Sequence, residues 1–229
     1  LSALLDALNE NLNVELGQVV ECIEYDCEGV AVTSSDGEEK TVYHADACLC
    51  TIPLGVLKRS AQNKDKAPRF DPALPQWKVD AINSMGFGLV NKVVLVFEKP
   101  FWENVSLFGY IPETVDKANR GEMFRFHALA DKPVLIGLVS GEAAFALEAV
   151  PDEVTTAKAM SFLFNIFGPA CPPKPLDVHI TRWNMDNFTY GAFSFVPPGC
   201  DAGTYETLAK PLKDSNGCER IFFAGEHTN

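Results

Sequence analysis

Several kinds of segment are missing from this 229-residue sequence, and each absence narrows what the protein can be. The longest apolar runs, at 93–97 and 134–139, are far shorter than the roughly 20 residues that a membrane-spanning helix needs. The first residues, LSALLDALNENL, contain neither a basic region nor a small-residue cleavage site, which argues against a signal peptide. We therefore expect no membrane association.

Nucleotide, metal and disulfide patterns are lacking as well. No P-loop and no GxGxxG after a strand occurs, so a nucleotide site complete within this sequence is not supported. The seven cysteines are an odd set without a CxxC pair, and the four histidines are scattered. Zinc sites need closely spaced ligands and disulfide frameworks need paired cysteines, so we expect reduced thiols, an intracellular compartment and no metal site.

Positive charge is in short supply, with 19 Lys and Arg against 31 Asp and Glu and a formal charge of −12. Non-specific nucleic-acid binding needs a cationic face, so we expect no direct contact with nucleic acid. An acidic protein attracts a cationic substrate or partner over long range, although the same charge can also serve solubility alone.

The hydrophobic content of 47% is typical of a packed globular protein, and the length permits one large or two small domains. Leucines at helical spacing predict an amphipathic helix over 2–11. Segments 19–25, 29–33 and 41–44 predict a three-stranded meander. The continuous apolar run at 45–52 predicts a strand buried on both faces.

A polar stretch with three prolines, residues 59–75, predicts a linker. A helix at 76–84, a glycine-punctuated turn at 86–88 and a strand at 89–97 follow. Further strands are predicted at 105–110, 121–128 and 133–140, and helices at 142–149 and 152–167. A last short strand, 220–224, normally precedes a helix, so we expect the sequence to be a fragment of a longer protein.

Three segments carry side chains suited to chemistry. Gly225 and Glu226, at the end of a strand, can approach a phosphate or accept hydrogen bonds from ribose hydroxyls, or the Glu can cap a helix. Lys92, at the edge of an apolar strand, either snorkels at the surface or faces a cavity. The aromatic-rich segment 182–196 fills a core, walls a flat ring or cages an ammonium group.

Six motifs in order along the chain resemble those of the flavin-dependent amine oxidase superfamily, with the best match in the lysine-specific histone demethylase branch. They are CTIPLGVLK at 50–58, MGFGLVNKVV at 85–94, FW at 101–102 with LFG at 107–109, GEAA at 141–144, RW at 182–183 with GAFSF at 191–195, and FFAGEHT at 222–228.

The resemblance implies an FAD cofactor, which carries the redox chemistry. A hydride leaves the C–H bond beside an amine nitrogen, the imine hydrolyses, and molecular oxygen is reduced to hydrogen peroxide. The expected activity is oxidative demethylation of methylated lysine in a peptide. A polyamine oxidase and a non-catalytic binding module derived from a flavoprotein are the alternatives.

The resemblance also assigns roles to residues. Lys92 corresponds to the catalytic lysine that holds a water at flavin N5. Phe193 replaces a Tyr of the amine-binding cage, and His127 replaces a Trp of the substrate pocket. The positions that correspond to cofactor contacts are Val20, Thr51, Ile52, Pro53, Trp183, Phe188, Gly225 and Glu226.

The implied fold is mixed α/β. Residues 1–58 and 218–229 would form part of a Rossmann-like FAD-binding domain. Residues 59–217 would form a substrate-binding domain with a mixed, mostly antiparallel sheet backed by helices. The resemblance further implies nuclear localisation and co-repressor partners that bind through regions outside this sequence. Without the glycine-rich turn of the FAD domain, we expect the fragment alone to hold no stable FAD and to be inactive.

Overall fold

The computed structural model describes residues 2–111 and 120–229, and within them the chain forms six α-helices and fourteen β-strands. The helices are α1 Ser2–Leu8, α2 Leu54–Ala61, α3 Gln76–Ser84, α4 Glu142–Glu148, α5 Asp152–Phe167 and α6 Thr204–Ala209. The strands are β1 Val19–Tyr25, β2 Val30–Ser35, β3 Lys40–Ala45, β4 Cys48–Cys50, β5 Arg69–Asp71, β6 Gly86–Gly88, β7 Val90–Val96, β8 Leu107–Phe108, β9 Arg125–Ala128, β10 Val134–Ser140, β11 Asp177–Ile180, β12 Phe193–Phe195, β13 Leu212–Lys213 and β14 Glu219–Phe223.

The predicted meander forms the first sheet, with strand order β3-β2-β1-β5. β1, β2 and β3 pair antiparallel, and β5 adds to the free edge of β1 in parallel. The segment predicted as a linker therefore contains a strand, and it also contains the end of α2. Phe70 of β5 is buried, and Ala61 and Leu74 pack against the same core, so apolar side chains of this otherwise polar segment hold it to the core.

The largest sheet is antiparallel throughout, with order β11-β7-β10-β9-β8. Successive side chains of a strand point to opposite faces, so each strand has one covered and one open side. The covered face packs on α4 and α5. Leu95, Phe126 and Leu135 of the strands and Leu163 of α5 are all fully buried in this core. The open face carries the partly buried or exposed residues of the alternate positions, among them Lys92.

A third sheet, β13-β14-β4, contains a parallel pair. Ile221, Phe222 and Phe223 of β14 lie opposite Cys48, Leu49 and Cys50 of β4. The predicted strand over 45–52 is shorter than expected. Cys50 is buried but Leu49 is exposed, so the strand is not covered on both faces among the described residues.

The GFG motif at 86–88 forms a strand, β6, so the turn predicted there is wrong. β6 pairs with β12, with Gly88 opposite Phe193 and Gly86 opposite Phe195. A Cβ at Gly86 would lie 2.5 Å from the Phe195 ring. Glycine is needed here because the aromatic ring of the partner strand covers the backbone.

The predicted mixed α/β fold is confirmed, whereas some element boundaries are not. α1 ends at Leu8, earlier than predicted, and its leucines Leu4, Leu5 and Leu8 are all more than half exposed. Helix α2, α6 and the strands β12 and β13 were not predicted. No helix in the described part of the chain has the length and apolar character needed to cross a membrane.

Two hydrophobic cores organise the chain. One core lies between the five-stranded sheet and α4 and α5, and draws on residues from Leu89 to Ile180. The other combines β1, β4, α2 and α3 with Leu208, Leu212 and β14. The segment 59–85 packs on this second core through Phe70 and Ile82, although the predicted domain division groups it with the substrate domain. That division stays a prediction.

Candidate functional site

The parallel strands β4 and β14 end side by side, and the candidate site begins at this edge. Ala224 donates a backbone hydrogen bond of 3.1 Å to Cys50, so the residues after the two strands stay together. These residues are Thr51 and Gly225. Loops at the carboxyl ends of parallel strands are where α/β proteins bind ligands.

A cavity of about 180 Å³ lies at this edge. It brings together four of the predicted cofactor-contact residues, Thr51, Pro53, Gly225 and Glu226. The remaining lining residues are Leu54, Phe87, Thr189, Gly191, Ala192 and His227.

A larger cavity of about 700 Å³ adjoins the first, since Pro53 lines both. Three further predicted residues line it, Val20, Ile52 and Phe188. Of the eight predicted cofactor-contact residues, only Trp183 lines neither cavity. The rim of the larger cavity includes Lys64 and Lys66, which lie in the segment that was predicted as a linker.

Among the residues that the structure describes, the Glu226 side chain is held by one, Ser194 of β12. One carboxylate oxygen accepts hydrogen bonds from the Ser194 backbone N–H at 3.0 Å and from its hydroxyl at 2.9 Å, and the other oxygen lies 3.1 Å from the same N–H. An ionised carboxylate has about four acceptor positions, so Glu226 keeps capacity for a further donor such as a ribose hydroxyl.

The turn after β14 depends on Gly225 and on a buried histidine. Gly225 has a φ of 138°, in the region that glycine adopts far more readily than other residues. His227 is 2% exposed, and its Nε2 has no hydrogen-bond partner among the described residues. Burial lowers the pKa of His227, so the imidazole is neutral at pH 7 and can still accept or donate one hydrogen bond.

These features fit the adenine dinucleotide that the resemblance implies. Val20, Ile52, Pro53 and Phe188 provide apolar walls for flat rings, and Glu226 provides a hydrogen-bond acceptor. No group of three or more metal-ligating side chains occurs in the part of the chain that the structure describes.

Lys92 lies on the open face of the five-stranded sheet. Its backbone N–H donates to the Thr181 hydroxyl at 2.8 Å, which fixes the strand against β11. Cross-strand pairing places Leu138 beside Lys92, and Arg125 on the far side of Leu138. His127 is half-buried on the same face, two positions further along β9. The open face thus carries Lys92 together with Arg125 and the predicted substrate residue His127.

Trp183 lies in a loop that closes on itself. Its carbonyl accepts hydrogen bonds from Gly191 N–H at 3.0 Å and from the Thr189 hydroxyl at 2.7 Å. Its own N–H donates to Oδ1 of Asn91 at 3.1 Å, which joins the loop to β7. The Trp183 side chain is 37% exposed and Phe188, in the same loop, is 63% exposed.

Phe193 is the predicted cage residue. Its ring lies 3.5 Å from the position that a Cβ of Gly88 would take, so the two strands pack ring against glycine. Phe193 is 43% exposed, and an accessible aromatic ring is what attraction of an ammonium group needs.

Sequence reasoning missed four polar residues that organise the site, Asn91, Glu148, Ser194 and His227. All four are buried. Asn91 carried a usable signal: it occupies an inward position of β7 in register with Val93 and Leu95, where a polar side chain needs partners. All seven cysteines are free in the structure, and burial raises the pKa of the Cys50 thiol to about 11.

Comparison with known proteins gives a family match over the whole sequence. The family described as flavin containing amine oxidoreductase matches residues 1–229. The possible lysine-specific histone demethylase 1 of Drosophila melanogaster is 41% identical over 235 residues, covering 97% of this chain and 26% of that protein. The lysine-specific histone demethylase 1 homolog 1 of Oryza sativa subsp. japonica is 39% identical, covering 100% and 26%.

The chain therefore spans about a quarter of the length of these curated relatives. Among solved structures, putrescine oxidase bound to putrescine superposes with a TM-score of 0.73 at 20% identity, over 97% of this chain and 45% of that one. At this identity the superposition establishes a shared fold. The predicted resemblance to amine oxidases, and within them to the histone demethylase branch, is confirmed, as is the flavin class of cofactor.

Proposed function

Because the chain belongs to the flavin-containing amine oxidoreductase family, we propose that it is part of an FAD-dependent oxidase that demethylates lysine side chains. One structural observation supports this most strongly. Seven of the eight predicted cofactor-contact residues come from distant parts of the sequence and line two adjoining cavities.

The residues take the following parts in this proposal. Val20, Ile52 and Pro53 provide the apolar wall of the cofactor channel, and Glu226 accepts a hydrogen bond from a ribose hydroxyl. Lys92 holds a water molecule beside the reacting centre. The Phe193 ring faces the substrate ammonium, which an aromatic face attracts by cation–π interaction.

A bound flavin supplies two-electron oxidation of the C–H bond beside the amine nitrogen, with oxygen as the final acceptor. The open sheet face has a separate task, which is to select the amine. Lys92 and Arg125 stand in one cross-strand row, and neither forms an ion pair with a carboxylate in the described part of the chain.

This row of cations favours a methylated lysine over a polyamine. A methyl-lysine side chain brings one positive charge to the site, whereas a polyamine brings several, each repelled by the row. The relatives named as histone demethylases support the same choice, and their names also support a nuclear location. Co-repressor proteins would bind through parts of the protein outside this sequence.

The test uses the full-length protein that contains this sequence. We expect visible flavin absorbance and hydrogen peroxide production from a dimethyl-lysine peptide. Lys92→Met should reduce the oxidation rate, whereas Lys132→Met, at an exposed turn between β9 and β10, should leave it unchanged. Absence of flavin absorbance in the intact protein contradicts the proposal.

Two other results would favour the alternatives. Turnover of free polyamines without turnover of the peptide indicates a polyamine oxidase. Bound flavin without oxidation of either substrate indicates a binding module.

A further inference from the structure

The Asn91 side chain is fully buried, and its polar atoms face two separate elements. Its Oδ1 accepts hydrogen bonds from the Trp183 backbone N–H and from the Thr181 hydroxyl, both at 3.1 Å. Its Nδ2 donates to Oε1 of Glu148 at 2.9 Å. Asn91 therefore joins β7 to the segment after β11 and to the end of α4.

Glu148 continues this connection. It is 5% exposed, and the Oε1 that receives Asn91 also accepts the Asn184 backbone N–H at 2.9 Å. Arg182 donates to the Glu148 carbonyl at 3.4 Å and, just beyond α4, to the Val150 carbonyl at 2.9 Å. Three consecutive residues, 182 to 184, are thus tied to α4, to β7 and again to α4.

Asn91 and Lys92 are consecutive in β7, and so their side chains point to opposite faces of the sheet. Asn91 is buried on the covered side and Lys92 is exposed on the open side. Lys92 is therefore the direct sequence neighbour of Asn91, the residue that accepts the hydrogen bond from the Trp183 backbone N–H.

We propose that Asn91 and Glu148 are positioning residues that set the Trp183 loop relative to Lys92. The inference rests on the proposed function, in which Lys92 lies beside the flavin, and on the predicted contact of Trp183 with the same cofactor. Lys92 lies in β7, and Trp183 lies in the loop after β11. The Asn91 side chain connects them directly, because Asn91 belongs to β7 and accepts a hydrogen bond from the Trp183 backbone N–H.

The chemistry of this position requires an amide. The side chain must accept from a backbone N–H and donate to a carboxylate at the same time, which Asn can do and neither Asp nor Leu can. Asp at 91 would place a second carboxylate against that of Glu148 in a buried site, where like charges are costly. Leu would leave the Trp183 N–H without its acceptor.

At position 148 the requirement is different. Both hydrogen bonds use Oε1, and Oε2 has no partner among the described residues. An amide oxygen can replace Oε1, and so Glu148→Gln should preserve the connection. Glu148→Ala should break it, since it removes the acceptor of both bonds.

The experiment compares Asn91→Asp, Glu148→Ala and Glu148→Gln in the full-length, flavin-loaded protein, with Asn165→Asp on the exposed face of α5 as the matched control. We expect Asn91→Asp and Glu148→Ala to lower kcat roughly tenfold or more, because small misplacements of reacting groups slow the chemical step strongly. KM for the peptide should change by less than about threefold, and the visible flavin spectrum should shift. Glu148→Gln and Asn165→Asp should retain the wild-type kcat and spectrum.

Hydrogen exchange of the peptide spanning residues 181–185, measured without flavin, reports the loop directly. Faster exchange in Asn91→Asp with an unchanged kcat and flavin spectrum would show a purely structural connection and would overturn the inference. Loss of activity in Glu148→Gln equal to that in Glu148→Ala would also overturn it. If Asn91→Asp does not fold, the two Glu148 variants decide. A wild-type protein without flavin or oxidation instead contradicts the proposed function.

Discussion

Glu226 takes three hydrogen-bond contacts from one residue, Ser194, and thereby joins the turn after β14 to β12. The contact links two regions that are 32 positions apart in the sequence. Ser194 lies between Phe193 and Phe195 and points to the opposite side of β12, and it is 6% exposed. Strand β12 thus holds the Glu226 carboxylate on one side through Ser194 and carries the candidate cage ring of Phe193 on the other.

The Ser194 hydroxyl should matter for stability more than for flavin binding. Ser194→Ala removes one of the contacts to Glu226 and keeps the backbone N–H, so we expect a loss of about 1 kcal/mol in the free energy of unfolding. Glu226→Ala should weaken flavin binding as well, because it removes the acceptor proposed for the ribose. Denaturation and flavin titration of the intact protein measure the two effects. Equal loss of flavin affinity in both variants would contradict this separation.

A second prediction concerns Gly191, which ends the Trp183 loop. Its φ is 150°, and a Cβ at this position would lie 2.4 Å from the Phe87 ring. We expect Gly191→Ala to lower the free energy of unfolding by roughly 3 kcal/mol or more, since backbone strain and overpacking add.

Gly199 is the matched control. It also has a positive φ, of 84°, but a Cβ there would meet no atom within 4 Å. Gly199→Ala should cost about 1 kcal/mol, which is the backbone contribution alone. Thermal or denaturant unfolding of both variants measures how much more is lost at Gly191, where a side chain also meets Phe87. Equal losses in the two would show that this contact is unimportant.

The helices and strands with a clear period were predicted well from the sequence. The helix at 76–84 and the strand at 19–25 have their predicted bounds, because apolar side chains at regular intervals face a core. The strand at 86–88 was predicted as a turn. Its glycines have no side chains that could show a period. Glycine is needed at Gly86 because the Phe195 ring, more than 100 residues away in the sequence, covers the backbone there.

The candidate site shows the same limit. Motifs identified residues such as Glu226 and Lys92, but Asn91, Glu148 and Ser194 act through contacts across 32 to 92 sequence positions. Such pairings follow from how the two cores pack, and no local pattern encodes them. A buried polar residue in an apolar strand was the one signal available.

A third prediction uses Lys78, a lysine of α3 that is 1% exposed. Its ammonium donates to the Leu208 and Lys210 carbonyls at 2.8 and 2.6 Å and lies 3.8 Å from the centroid of the Phe223 ring. Burial lowers the pKa of Lys78 to about 7 from its usual 10.5. Between these values the unfolded chain binds more protons than the folded one, so the free energy of unfolding should rise with pH.

The measurement is thermal stability of the intact protein from pH 6 to 10. Lys78→Met should remove the rise between about pH 7 and 10, because methionine has no proton to release. Lys132→Met, which changes an exposed lysine, should retain it. An identical pH profile in wild type and Lys78→Met would contradict the lowered pKa.

The last prediction tests whether Arg125 selects among amines. Arg125 is exposed on the open face, two strands from Lys92, which corresponds to about 10 Å between the strands. A substrate charge beside Lys92 would lie at about that distance from Arg125. Two unit charges so placed repel by roughly 0.8 kcal/mol at an effective dielectric constant of about 40, or about fourfold in a rate constant. Arg125→Leu should therefore raise kcat/KM for a polyamine about fourfold for each substrate charge near the row.

The methyl-lysine peptide is the reference substrate, because its methyl-lysine side chain brings a single charge to the row. With the methyl-lysine peptide, the gain in Arg125→Leu should be smaller than with the polyamine, so the preference between the two substrates should shift toward the polyamine. Lys132→Leu removes a positive charge at the far turn of the sheet and should leave that preference unchanged. Because the repulsion is electrostatic, the effect of Arg125→Leu should also shrink at high salt. A preference that is the same in both variants, or that does not respond to salt, would show that the open face does not select by charge.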